Sequence, residues 1–176
     1  DTEKMQSPSF MAVIVAVGAS NVVPSIEGVN LPHVYDAWKV LNHEQLPSGK
    51  VVVIGGGLVG AETAELLAQM GCEVSIVEMM DTIAKEESTT VRPTMMADFE
   101  AHHVQQFIKT KVTAMTSTTV EAENEEGQVS LPCDYVVLAV GAKPNAFDIS
   151  PFIEKGIEVH VVGDCNERAA DINRAI

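Results

Sequence analysis

KVVVIGGGLVGAETAELLAQMGCEVSIVE, Lys50 to Glu78, reads as strand, glycine turn, helix and second strand in one unbroken run. Val51 to Ile54 is a continuous β-branched stretch, the pattern of a strand buried on both faces in a parallel sheet. Gly55, Gly57 and Gly60 follow at G-x-G-x-x-G spacing, with Gly56, Leu58 and Val59 between them. The first glycine lets the chain turn sharply, the second lets backbone approach a pyrophosphate, and the third lets the new helix pack tightly on the strand. The spacing predicts a helix over about Leu58 to Met70, with Val59, Thr63, Leu66, Leu67 and Met70 on its apolar side and Gly71 as a left-handed C-cap. Its N-terminus offers free N–H groups and a positive dipole end to phosphates.

The second strand, Glu73 to Val77, ends at Glu78, 18 positions beyond Gly60. A carboxylate there can accept hydrogen bonds from both hydroxyls of an adenosine ribose and would repel a 2′-phosphate. The following Met79 and Met80 supply no arginine to hold one, so the expected ligand is NAD(H) rather than NADP(H). A glycine triplet alone is weak evidence. Here the strand before it, the helix after it and the acid at this distance supply the context.

With 176 residues, 46% hydrophobic and 20% charged, the chain can bury a core and form one domain or two small ones. A net charge of −14 with only 11 Lys and Arg argues against nucleic acid as a partner. An anionic cofactor must then be held by local backbone N–H groups against the global field. Cys72, Cys133 and Cys165 are widely separated and form no C-x-x-C pair, which reads as reduced thiols in a cytoplasmic protein. Cys72 and Cys133 sit beside expected strands as small core residues; Cys165 is left open between core and reactive thiol.

The polar segment 1–9 is expected to be poorly ordered, and Phe10 to Val17 to form a buried strand ending at Gly18. A signal peptide is the competing reading, but Asp1 and Glu3 outweigh Lys4 in its n-region. No stretch reaches the roughly 18 apolar residues of a membrane span. A short helix is expected over Val34 to Leu41, carrying Trp38 as a packing residue between lobes, then a turn at Pro47-Ser48-Gly49. Asp81 to Pro93 reads as irregular and Thr94 to His103 as a helix. The adjacent His102 and His103 point about 100° apart on a helix, which favours a helix end over a metal pair. From Gln105 to Leu131 the pattern becomes a small β-meander, with the acidic run Glu121 to Glu126 as a solvated hairpin end. Asp134 to Val140 is again a buried strand, running into Gly141.

Ala16-Val17-Gly18-Ala19 and Ala139-Val140-Gly141-Ala142 end two apolar strands with the same four residues. This echo suggests two related dinucleotide folds. A third apolar strand, Ile157 to Val162, ends in Gly163-Asp164-Cys165. The fold class is therefore α/β, a Rossmann-like parallel sheet with a β-meander.

On these residues the chain resembles the flavoproteins with two dinucleotide-binding domains, the group that includes the pyridine-nucleotide disulfide oxidoreductases. VIVAVGAS resembles the segment leaving the first FAD half, GGGLVGAE the NAD turn, DYVVLAVGAKPN the return crossing, and VHVVGDC the Gly-Asp motif that holds the ribityl chain of FAD. The resemblance implies an NAD domain, residues 31–144, inserted into an incomplete FAD domain made of residues 1–30 and 145–176. It further implies NAD contacts from Gly55 to Gly60, Glu78, Met79, Val140 and Gly141, FAD contacts at Gly18, Gly163 and Asp164, and an orienting role beside nicotinamide and flavin for Glu62. That Glu62 can equally serve the helix dipole.

Within the group, the tail GDCNERAADINRAI and the lack of a cysteine pair are most similar to NADH:flavin oxidoreductases of the enoate reductase and 2,4-dienoyl-CoA reductase type. Those enzymes carry FMN and an iron–sulfur cluster in a preceding barrel. Only one G-x-G-x-x-G is present here, so the chain is expected to be a fragment whose further partners are upstream domains or a second chain. Taken alone it is expected to be inactive, to purify colourless, and to expose Cys165 to thiol reagents. A non-catalytic NAD-binding module and a truncated disulfide reductase or NADH oxidase are the rival readings.

Overall fold

The computed structural model describes residues 11–85 and 87–166. The segment 1–9 and most of the C-terminal tail, residues 167–176, lie outside the described residues. In chain order the strands are β1 (Ala12–Val15), β2 (Ala19–Asn21), β3 (Val34–Asp36), β4 (Lys50–Ile54), β5 (Glu73–Val77), β6 (Gln105–Phe107), β7 (Lys111–Met115), β8 (Thr119–Asn124), β9 (Gly127–Pro132), β10 (Tyr135–Leu138), β11 (Ala142–Pro144) and β12 (Glu158–Val161). The α-helices are α1 (Ala37–Leu41), α2 (Leu58–Gln69), α3 (Val91–Ala101) and α4 (Ser150–Ile153). They divide between a continuous unit, Asn21–Gly141, and a unit drawn from Asp1–Ser20 and Ala142–Ile176.

The continuous unit is built on a parallel sheet in the order β3-β10-β4-β5-β6. The central β4 pairs with β10 (Val51 opposite Tyr135) and with β5 (Val51 opposite Val74), so its Val51 to Ile54 are buried on both faces. Successive residues divide between two cores because strand side chains alternate. Val51 and Val53 pack under Ala61, Ala64, Leu67 and Ala68 of α2 and Met95 and Phe99 of α3. Val52 and Ile54 face Val112, Met115, Val120, Ala122 and Leu131 of the antiparallel β7-β8-β9 sheet. Each fully buried aliphatic side chain is worth roughly 1.5–3 kcal/mol against exposure, and this sandwiching on both faces makes β4 the anchor of the unit.

Helix α2 buries a smaller-residue face than the sequence pattern suggests. Gly60, Ala61, Thr63, Ala64, Leu67 and Ala68 are buried, whereas Leu66 is half-buried and Met70 is exposed. The helix runs close to the sheet, and short side chains permit that approach. Its end is a Schellman cap: Cys72 N–H donates to Leu67 O, Gly71 N–H to Ala68 O, and Gly71 adopts φ +89°.

Three expectations need correction. Val34–Asp36 is a strand beside β10, and α1 begins only at Ala37, because Asp36 Oδ1 accepts from the N–H groups of Trp38 and Lys39 and caps it. Helix α3 starts at Val91 with Pro93 in its first turn, where a missing N–H costs nothing. The Gln105–Phe107 strand pairs in parallel with β5 and leaves the meander to β7, β8 and β9. The continuous unit runs from Asn21 to Gly141. Residues 21–30 join the continuous unit because Ile26 and Val29 pack on its second core and Gly28 lies against the Met115 carbonyl.

In the other unit, β1 and β12 pair in parallel, Val15 opposite Val161. Val13 and Val15 are buried with Phe152, Ile157 and Cys165, and Phe147 stacks on Phe152 with ring centroids 6.2 Å apart. The expectation of a fully buried first strand is not met: Ile14 is 69% exposed. Its neighbours in sequence, Val13 and Val15, point to the opposite face, where the packing partners are. β2 pairs with β11.

Candidate dinucleotide site

The turn at the C-terminal end of β4 gives its glycines distinct surroundings. Gly55 has φ +102°, and a Cβ on it would fall on the Ala139 carbonyl oxygen. A Cβ on Gly60 would fall on the Gly55 carbonyl oxygen and lie 3.2 Å from Ala139 Cβ. Gly57 is the N-cap of α2, at φ −67°, and a Cβ there would meet nothing within 4 Å. Two glycines thus permit close contact of backbone with backbone, and the middle one leaves open space in front of the helix N-terminus. The Gly57 carbonyl accepts from Ala61 N–H, so the N–H groups of the first turn, Leu58 to Gly60, have no carbonyl within the helix. Leu58 and Val59 are half-buried beside them.

Glu78 closes the turn from the end of β5. Its Oε2 accepts from Gly56 N–H at 2.5 Å and its Oε1 from Met80 N–H at 2.7 Å. Met79 and Met80 are 65% and 57% exposed next to it. Ala139 N–H donates to Ile54 O, which brings the end of β10, with Val140, beside Gly55. Gly141 follows at φ +101° in the open. The structure therefore gathers Gly55 to Gly60, Glu78 and Val140 at one end of the parallel sheet, between strands β4 and β10, where strand order reverses. In open α/β sheets ligands lie at such a switch point.

Sequence reasoning missed the support beneath this turn. The segment expected to be irregular after Glu78 is docked: Ile83 and Ala84 are 1% and 0% exposed, and Ala84 N–H donates to Gly56 O at 2.7 Å. Arg92 Nε in the first turn of α3 donates to Ile83 O at 3.0 Å. Only the apolar pair Ile83-Ala84, between Thr82 and Lys85, was a sign of this in the sequence.

Glu62 is exposed on α2, with Glu65 one turn on. Burial pushes the Glu65 carboxyl above its ordinary range, and Asp98 of α3 and then Glu62 add to the effect. Glu62 thus belongs to an acidic group on α2 and α3. His102 caps the end of α3 and His103 follows at φ +57°, and among the described residues no cluster of His, Cys, Asp and Glu could hold a metal. Glu125 and Glu126 are the exposed tip of the β8–β9 hairpin, as expected.

In the second unit, Gly18 and Gly163 have φ +69° and +71° and follow the parallel strands β1 and β12 at the same end, with Asp164 in the 3-10 turn Gly163–Cys165. Asn145, to which the sequence reading assigned no role, fixes this edge: its N–H donates to Gly18 O, its Nδ2 to Val17 O, and its Oδ1 accepts from Ser20 Oγ. Cys165 is not exposed as expected. It is 7% exposed, with its thiol directed at the carbonyls of Val15 and Val162. Burial also pushes the thiols of Cys72 and Cys133 above their ordinary range, Asp134 adding to the second. No helix among the described residues is long and apolar enough to cross a membrane.

A parallel sheet carrying a glycine turn, a helix N-terminus and an acid at the next strand end defines a Rossmann-type nucleotide-binding protein. Residues 1–170 match the model of the pyridine nucleotide-disulphide oxidoreductase family, and the chain belongs to that family. It is 68% identical over its whole length to a bilirubin reductase of Mediterraneibacter gnavus, covering 28% of that protein. It is 38% identical to an NADH oxidase of Thermoanaerobacter brockii, 93% of this chain against 26% of that one. Among solved structures, a 2-naphthoyl-CoA reductase complex matches 94% of the chain and 25% of its own length, at TM-score 0.81 and 24% identity, a likeness of fold. The chain thus spans little more than a quarter of the length of these two curated relatives.

Proposed function

We propose that this chain is the NAD(H)-binding part of a flavin-dependent oxidoreductase, in which NADH delivers a hydride to FAD. The observation that carries the reading is the open space at Gly57 between two close-packed glycines, facing the N–H groups of the first turn of α2. That cradle fits a pyrophosphate: Gly57 and the N–H groups of Leu58 to Gly60 would hold it, and Glu78 would accept from the ribose hydroxyls. Met79, Val140 and Gly141 would flank the nucleotide, and Glu62 would orient it near the flavin. Gly18, Gly163 and Asp164 would serve FAD in the whole protein.

Bound NADH supplies the hydride; the chain's residues bind, orient and exclude. Glu78 has its geometry set by the N–H groups of Gly56 and Met80, so it would present a fixed carboxyl group that disfavours a 2′-phosphate. Within the family we assign the chain to the NADH:flavin oxidoreductases of enoate reductase and 2,4-dienoyl-CoA reductase type, with FMN and an iron–sulfur cluster carried by other parts of the protein or by a partner chain. The similarity to a bilirubin reductase and an NADH oxidase, each matched over about a quarter of its length, supports an oxidoreductase whose other parts lie outside this chain. Three buried, unpaired cysteines support a reducing, cytoplasmic setting. Isothermal titration with NADH and NADPH tests the reading: NADH should bind the more tightly, and absence of NADH binding would overturn it.

A further inference from the structure

Gly56 is held at both its backbone groups. Its N–H is taken by Glu78 and its carbonyl by the N–H of Ala84. In a trans peptide the carbonyl of one residue and the N–H of the next point in opposite directions. Fixing the Gly56 carbonyl therefore fixes the N–H of Gly57, the glycine with open space beside it.

Ala84 does not hold that position unaided. It adopts φ +49°, a left-handed conformation that a Cβ disfavours, while fully buried. Ile83 fills the space in front of Gly56, where an added Cβ would lie 3.0 Å from Ile83 Cγ1. The Ile83 carbonyl is tied to Arg92 Nε, Arg92 N–H donates to Ser88 O, and Glu87 N–H donates to Ala84 O. Hydrogen bonds thus run from the first turn of α3 to the glycine turn, with a guanidinium at their far end.

We propose that Arg92 is a positioning residue for the dinucleotide turn: through Ile83 and Ala84 it sets the peptide between Gly56 and Gly57, and so the Gly57 N–H offered to a pyrophosphate. This rests on the reading of the turn as a pyrophosphate site. An arginine suits the task because its planar, permanently charged group gives a stronger and better-oriented donor than a neutral side chain.

The test compares Arg92→Met, similar in length without the donor, with Arg92→Lys, which keeps a cationic donor. Two readouts are taken on folded protein: NADH affinity by isothermal titration, and the Gly57 amide resonance of the ligand-free protein. Arg92→Met should weaken NADH binding about tenfold, the scale of one charged hydrogen bond, and shift the Gly57 resonance, and Arg92→Lys should restore most of both. An Arg92→Met protein that binds NADH within about twofold of the unmodified protein, or leaves the Gly57 resonance unmoved, overturns the proposal. Should Arg92→Met not fold, Arg92→Lys decides: near-native affinity and resonance support the positioning role, and loss of both overturns it. If the unmodified protein binds no NADH, the pyrophosphate reading fails by itself, and the Gly57 resonance still decides whether Arg92 sets that peptide.

Discussion

Gly56 and Glu78 are joined backbone to side chain at 2.5 Å, so the acid expected to meet a ribose also braces the turn expected to meet the phosphates. The second carboxylate oxygen is engaged by Met80 N–H. On the proposed function, binding selectivity and local stability would therefore be coupled in one side chain.

Glu78→Ala should show both effects. Removing two hydrogen bonds to a charged acceptor should lower unfolding free energy by about 1–3 kcal/mol, read by urea denaturation. The preference for NADH over NADPH should narrow, since the ribose contacts and the repulsion of a 2′-phosphate are lost together. Equal or tighter binding of NADPH by the unmodified chain would sink the assignment.

The glycines separate binding from folding. Gly57→Val places its side chain in open space at an ordinary φ, so circular dichroism should stay native while NADH affinity falls by at least about tenfold. Gly60→Ala drives a Cβ into the Gly55 carbonyl, so it should lower stability by about 1–3 kcal/mol, as overpacking does. A Gly57→Val protein that binds NADH normally would refute the cradle.

Glu65 predicts a pH dependence. Its folded carboxyl is raised above the ordinary 4.5 by burial, with Asp98 and Glu62 adding. The folded state thus holds the proton more tightly than the unfolded state. That contribution is fully present below about pH 4.5 and is lost as pH rises through the raised folded value. Glu65→Gln, which stays neutral, should have little effect on Tm near pH 4 and raise it above that window. Thermal melts from pH 4 to 8 check this; an increment independent of pH would disprove it.

The thiols should be quiet. Cys72, Cys133 and Cys165 are all buried, and burial raises the first two away from the reactive thiolate. Titration of the native protein with a disulfide reagent should find less than one fast-reacting group, and denaturation should release all three. Rapid modification of Cys165 would show that its packing against Val15 and Val162 opens readily.

Much of the fold was legible because local rules and packing agree. Val51 to Ile54, the spaced glycines, the α2 helix, the Gly71 cap and Glu78 form one strand-turn-helix-strand unit, and each step is decided by neighbours a few residues away. The Glu125-Glu126 hairpin and the echoed Gly18 and Gly141, both at positive φ, were readable for the same reason. Tertiary structure decided the rest. Gln105–Phe107 is too short to declare its partner, and the free edge of β5 captured it. Ile14 is as apolar as Val13 and Val15, yet only the side of β1 with packing partners could bury its residues. Ile83 and Ala84 sit in a polar stretch whose order comes from a carbonyl 28 residues earlier in the chain, that of Gly56, and from an arginine on the next helix. Such long-range hydrogen bonds leave no periodic trace in sequence, because they depend on where separate elements meet.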